Sequence, residues 1–197
     1  MSVEAGPVEA MAGDNGQVQI RLVPYDHPDA QLLIVRLQDF YTERYGGPDS
    51  DPMDPASFEP PVGAFFVGYL DGRPAAMGAW RREGVERLGT SVTAEIKRMY
   101  VVPEATRQGL ARRMLSHLET TAWAGGLEAL ILSTGSRQPE AMALYTSAGY
   151  EPIDGFGHYA GGDLNRCFGK RLSARAVAEG RSLAPGGVPA LDRVGGA

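Results

Sequence analysis

The sequence predicts an α/β (α+β) fold with a mixed sheet, on three observations. Residues 95 to 126, EIKRMYVVPEATRQGLARRMLSHLETTAWAGG, read as a strand, a tight loop and an amphipathic helix. Asp71-Gly72, between two apolar runs, is a hairpin signal. Ala129-Leu130-Ile131-Leu132 is a short continuous apolar run, as a central strand buried on both faces requires.

In chain order, Val18, Ile20 and Leu22 alternate with polar residues and predict a first strand. Pro28-Asp29 opens a helix in which Leu33, Leu37, Phe40 and Tyr41 form one apolar stripe, and Gly46-Gly47-Pro48 stops it. From there to Pro61 the density of Pro and Asp predicts an irregular connection or a short helix. Two strands, 63–70 and 74–80, flank the turn at Asp71-Gly72-Arg73, and a third runs from Val92 to Val102, where Pro103 ends it. Leu110, Met114, Leu115, Leu118 and Ala122 make the apolar stripe of the next helix, which Gly125-Gly126 closes. After the 129–132 strand come a helix containing Tyr145, a strand from Tyr150, and a last strand through Asn165 to Leu172. Residues 17–172 therefore form one domain. Residues 1–16 and 173–197, rich in Gly, Pro and Ala without periodicity, are expected to be flexible tails.

Composition excludes several function classes. With 43% hydrophobic and 22% charged residues among 197, the chain is an ordinary globular one. A formal net charge of -5 argues against nucleic acid or an anionic membrane as partner, because both require a basic footprint. Cys167 is the only cysteine, which rules out an intrachain disulfide and agrees with a reducing compartment. No apolar run reaches the length of a membrane span and no secretory start is visible, so the expected location is cytoplasmic. Three scattered histidines and one cysteine give no metal-ligand spacing, and no metal is expected. Of the histidines, His27 and His117 read as surface residues. Cys167 reads as packed in a strand rather than as a nucleophile, since no neighbouring group activates it. A homodimer is left open.

The 95–126 stretch also carries chemistry. A helix N-terminus leaves backbone N–H groups unpartnered and bears partial positive charge, so small residues at Gly109 and Ala111 let a phosphate approach the backbone. The loop has neither the Gly-x-Gly-x-x-Gly nor the Walker pattern, which argues against a dinucleotide site and a P-loop hydrolase. Arg107, Arg112 and Arg113 supply a local positive patch. Thr106-Arg107-Gln108-Gly109-Leu110-Ala111, after a strand ending Met99-Tyr100-Val101, resembles the Q/R-x-x-G-x-G/A loop of the Gcn5-related N-acetyltransferases (GNAT), with Thr106 where that family has Gln or Arg. Gln138-Pro139-Glu140-Ala141-Met142-Ala143-Leu144-Tyr145, followed by Ala148-Gly149-Tyr150, resembles the family's N-x-x-A-x-x-L-Y helix and the G-F/Y after it, with Gln138 replacing Asn. The resemblance covers roughly residues 18 to 172.

The resemblance implies a mostly antiparallel central sheet flanked by helices and splayed between its fourth and fifth strands, where acetyl-CoA inserts as cosubstrate. It implies cofactor contacts at Met99, Tyr100, Val101, Thr106, Arg107, Gln108, Gly109, Leu110, Ala111, Arg112, Gln138 and Ala141. The activity implied is transfer of an acetyl group to the primary amine of a small molecule by direct attack on the thioester. A protein or peptide acceptor, and a non-catalytic acyl-CoA sensor, stay open as alternatives.

Acyl transfer to an amine needs a polarised carbonyl, a deprotonated amine and a proton for the departing thiolate. Backbone amides near a bulge around Val101 are expected to polarise the carbonyl. Tyr145 is the candidate acid, since a phenol held at the sulfur can donate to it. Glu95, placed by the two-residue period on the face of Met99 and Val101, is the candidate base; a solvated charge alternation through Glu95-Ile96-Lys97-Arg98 is the competing reading. Tyr45, Asp49, Phe58, His158 and Tyr159 are candidates to border the acceptor, against the plainer reading of a surface loop with one anchoring aromatic.

Overall fold

Alternating residues form the first strand, β1 (Val18–Leu22), which pairs antiparallel with β2 (Gly63–Leu70). The computed structural model describes residues 17–183. β2 turns into β3 (Arg73–Arg82) through Asp71 and Gly72, both at positive φ (51° and 76°), the backbone that a two-residue hairpin loop matched to strand twist demands. β4 (Thr93–Val101) lies antiparallel to β3, and β5 (Ala129–Gly135) lies parallel to β4. β7 (Asn165–Arg171) pairs antiparallel with β5 and carries the two-residue β6 (Glu151–Pro152) on its outer edge. The order is β1-β2-β3-β4-β5-β7-β6, a mostly antiparallel seven-stranded sheet.

Helices cover both faces. α1 (Pro28–Tyr45) buries Ala30, Leu33, Ile34 and Leu37, while Phe40 and Tyr41 at its far end are only half-buried. α2 (Leu110–Ala124) covers the opposite face, where Trp80 of β3 donates its indole N–H to Thr121 Oγ1 at 3.0 Å. α3 (Pro139–Ser147) links β5 to β6. The core is one layer on each side of the sheet, with Phe65, Met77, Leu118 and Leu130 fully enclosed.

Two features of the sheet decide where a site can form. The β4–β5 pairing runs from Thr93 opposite Ala129 to Ile96 opposite Leu132, while the other edge of β5 stays paired with β7 through Gly135. Beyond Ile96 the two strands part, as the expected splay requires. In β4 a bulge sits beside the parting: Met77 opposes Tyr100 but Ala79 opposes Lys97, so two steps of β3 face three of β4, with Arg98 at φ 57°.

The bulge reverses the facing of the residues beyond it, and this corrects the expectation that Glu95 shares a face with Met99 and Val101. Met99 Sδ lies with Met114 and Leu118 around Gly78, on the α2 face. Tyr100 rests against Phe40 of α1 (6.3 Å between ring centroids). Glu95, opposite Arg81, and Lys97 face the α1 side with Tyr100. The bulge also stands at Arg98–Met99 rather than around Val101.

The segment from residue 173 departs from the expected tail. Ser173 caps α4 (Ala174–Leu183), its Oγ accepting from the Ala176 amide at 3.1 Å, and Val177 is buried as α4 docks on α2. A single buried valine is too sparse a stripe to announce a helix in sequence. The tails expected at residues 1–16 and 184–197 lie outside the described residues. Among the described residues, no helix is long and apolar enough to cross a membrane. Val177→Ala should cost about 1–2 kcal/mol and lower Tm by about 2–6 °C in a thermal melt; an unchanged Tm would mean that α4 contributes no packing.

Candidate active site

The loop before α2 is built as an anion cradle. Arg107 (φ 61°) and Gly109 (φ 78°) both adopt left-handed backbone on either side of Gln108, turning the chain sharply into the helix. Glycine bears this conformation without a Cβ penalty, and Gly109 is the N-cap residue. No side chain caps the helix, and the bond from the Arg113 amide to Gly109 O, 3.0 Å, closes its first turn, so the Leu110, Ala111 and Arg112 amides precede any intrahelical partner. Arg107 and Gln108 are exposed, while the Thr106 hydroxyl turns back to Pro103 O at 2.8 Å. The Leu110 side chain is buried in the core, which leaves its amide as its part in the site. Arg112 donates to Ser147 Oγ and ties α2 to the end of α3.

Tyr145 projects from α3 onto Tyr150 and onto Phe168 of β7. Its ring packs against Tyr150 (5.8 Å) and Phe168 (6.2 Å) and is 5% exposed. Burial, reinforced by the nearby Tyr41 hydroxyl, holds its phenol well above the ordinary tyrosine pKa, so it keeps its proton throughout the neutral range. Ala141, one turn earlier, is half-buried. Gln138, at the start of α3, donates through Nε2 to the Tyr45 hydroxyl at 3.1 Å. That hydroxyl fills the space at Gly135, lying 1.9 Å from where a Cβ would stand, so any side chain at 135 would expel Tyr45.

Glu95 is enclosed in an ion-pair lattice. Its Oε2 accepts from Arg81 Nη2 (2.9 Å) and Nε (3.2 Å), its Oε1 from Lys97 Nζ (3.2 Å), and Lys97 also donates to Asp51 (2.5 Å). With 4% exposure and both oxygens engaged by cations, Glu95 is a buried, ion-paired carboxylate, and with Lys97 and Arg98 also buried the 95–98 run is not a solvated charge alternation.

On the α1 side, Asp49 gathers the acceptor candidates. Its Oδ1 accepts from the Tyr159 hydroxyl at 2.5 Å, and its Oδ2 lies 3.2 Å from Arg98 Nη1. Ser50 adds a bond from its amide to the Tyr159 oxygen (3.1 Å), and its hydroxyl is 3.4 Å from His158 Nε2. The connection after α1 is thus clasped to the connection between β6 and β7. Tyr45 joins this wall through Tyr41, with ring centroids 6.2 Å apart. Phe58 does not line a cleft: it is 2% exposed, stacked on Tyr25 (5.5 Å) and edge-on to Phe65, and anchors the loop.

His117 is buried edge-on against Phe66 (4.6 Å) instead of lying at the surface, because α2 turns that flank toward β2. His27 accepts from the Asp29 amide at the start of α1. Cys167 is buried in β7, where Asn165 Nδ2 lies 3.3 Å from its sulfur. Tyr41 and Arg98 were missed as site residues: Tyr41 reads as core stripe, and two adjacent cations pointing inward cannot be read from strand alternation without the bulge. Among the described residues, no group of three or more His, Cys, Asp and Glu side chains could hold a metal ion.

The chain matches the Acetyltransferase (GNAT) family over residues 34–150. It is 31% identical over 140 residues to an IAA acetyltransferase of Azospirillum brasilense, covering 71% of this chain and 88% of that protein. In structure it is similar to an acyl-CoA N-acyltransferase candidate from Klebsiella pneumoniae, at TM-score 0.65 and 25% identity over 79% of this chain and 98% of the other. The ribosomal-protein-S18-alanine N-acetyltransferase of Escherichia coli shares the fold at TM-score 0.55 and 20% identity, over 80% of this chain and 95% of its own. The family match spans most of the domain: this chain belongs to the GNAT acetyltransferase family, N-acetyltransferases for which acyl-CoA is the implied cosubstrate.

Proposed function

We propose that this chain transfers the acetyl group of acetyl-CoA to the primary amine of a small molecule by direct attack of the amine on the thioester. What supports the reading is the presence, in the order the family resemblance implies, of strands β4 and β5 that part after Ile96, an uncapped α2 N-terminus and a buried tyrosine on α3. Acetyl-CoA supplies the activated acyl carbon. The residues fit it: Leu110, Ala111 and Arg112 offer amides, and Arg107 a guanidinium, to the pyrophosphate, with Thr106, Gln108 and Gly109 shaping the approach. Met99, Tyr100 and Val101 line the β4 edge, where backbone N–H groups beyond the paired region polarise the carbonyl. Ala141 leaves room on α3 opposite them.

As the new C–N bond forms and the C–S bond breaks, the sulfur takes a proton from Tyr145, and the proton released by the amine is returned to the phenol through water, since burial disfavours the phenolate. The amine loses its proton to water, and Glu95 acts through charge, holding Lys97 and Arg81 along the acceptor wall. A cytoplasmic location and the absence of nucleic-acid or membrane partners belong to this reading, on the net charge of -5.

Release of CoA in a screen of amines tests the reaction. Tyr145→Phe should retain acetyl-CoA binding yet lower kcat by about tenfold to a thousandfold. Because burial raises the Tyr145 pKa, the wild-type rate should show no falling limb below about pH 10. Wild-type turnover in the phenylalanine variant would remove Tyr145 from the chemistry. Glu95→Gln distinguishes charge from proton transfer: its kcat/KM should fall by a factor that stays constant with pH, whereas a loss that shrinks as pH rises would make Glu95 the base after all.

A further inference from the structure

Arg98 is the residue that the β4 bulge lifts out of the strand's alternation. It is 8% exposed, and its Nη1 lies 3.2 Å from Asp49 Oδ2, yet neither Nε nor Nη1 has a hydrogen-bond partner among the described residues. Buried guanidinium donors without acceptors are costly, and a guanidinium's planar fork of five donors matches a carboxylate. The neighbouring cations are already paired: Lys97 donates to Asp51 and Glu95, and Arg81 to Glu95 with Glu83 3.7 Å away.

Position links these donors to the reaction. Arg98 stands two residues past the point where β4 leaves β5, on the side of Asp49 and the connection after α1. The Tyr41 hydroxyl is near enough to feel both Asp49 and Arg98, and near enough to Tyr145 to act on it in turn. Tyr41, Tyr45 and Tyr159 give the surrounding wall an aromatic surface.

We propose that Arg98 anchors the acceptor through a carboxylate, so that the substrates are amino-carboxylates such as free α-amino acids. This rests on the acetyl-transfer reading. Asp49 holds the guanidinium with one oxygen while its other oxygen accepts from Tyr159, so separation of Tyr159 from Asp49 opens the approach to Arg98. The acceptor's carboxylate then takes the side-on fork of Nε and Nη2 while Nη1 stays beside Asp49, and its amine is carried toward the parted strands.

The test pairs a panel of L-amino acids with their carboxamides, measuring CoA release from acetyl-CoA. The wild type should favour the acid over the matching amide by about tenfold or more in kcat/KM, chiefly through KM. Arg98→Lys, and Arg98→Asn, which tolerates left-handed backbone, should each shrink that ratio at least about tenfold. Acetyl-CoA should still raise the Tm of both variants, showing that they fold and bind cofactor. A wild type that prefers amides, or variants that keep the wild-type ratio, would overturn the anchor and leave Arg98 a structural residue whose donors meet water. If no amine releases CoA, the acetyl-transfer reading fails instead, and binding decides the anchor separately. Stabilisation of the CoA-bound wild type by an amino acid but not its amide, lost in Arg98→Asn, would uphold it, and no difference between the two would overturn it.

Discussion

The parting of β4 from β5 is the constraint on which the site depends. Strands paired in parallel up to Ile96 and Leu132 separate while β5 remains held by β7 and β4 by β3, so the sheet parts between its two halves. The bulge at Arg98–Met99 lies within the divergent stretch, where an extra residue bends the strand and increases its twist. Backbone groups on the freed edge still require partners, and an extended ligand carrying amides of its own meets that requirement as an added strand would. The same bulge places Met99 against α2 and leaves Arg98 beside Asp49, on the side that Lys97 already faces. One insertion in register therefore separates Met99, on the α2 side, from Lys97, Arg98 and Tyr100 on the α1 side.

Charge fixes the acceptor wall to that strand. Asp51 and Asp49, on the connection after α1, reach Lys97 and Arg98 respectively, and Glu95 lies between Lys97 and Arg81. In a buried lattice of this kind, removing one member strands its partners without compensation, so the contacts couple the loop's position to the strand more firmly than surface pairs would. Tyr159 extends the coupling to the β6–β7 connection through Asp49. The two connections and the parted strand thus respond together to whatever enters.

Features set by a few neighbouring residues were legible in the sequence. The Asp71-Gly72 turn, the apolar run of β5 and the Gly109 helix start each follow from local backbone preference and hydrophobic period, and the paired motifs around Gly109 and Tyr145 pointed to the family. What escaped was set by register and long-range packing. A strand's two-residue period gives no warning of a bulge, so Glu95 was assigned to the wrong face. Phe58 resembled a loop aromatic until Tyr25 and Phe65 were seen to enclose it. Gln138 kept its motif position, but its partner, Tyr45, comes from the end of α1, far away in sequence. The α4 helix depends on docking its Val177 side against α2, which composition alone does not record.

The central claim, that acyl-CoA occupies the seam between β4 and β5 with its pyrophosphate at the start of α2, is tested most directly by amide hydrogen exchange with and without acetyl-CoA. Protection should rise in two separate stretches, residues 97–101 on the parted edge of β4 and residues 107–112 at the helix start, while β1 and β2 change little. Protection confined to other elements, or none on saturation with acetyl-CoA, would contradict the account.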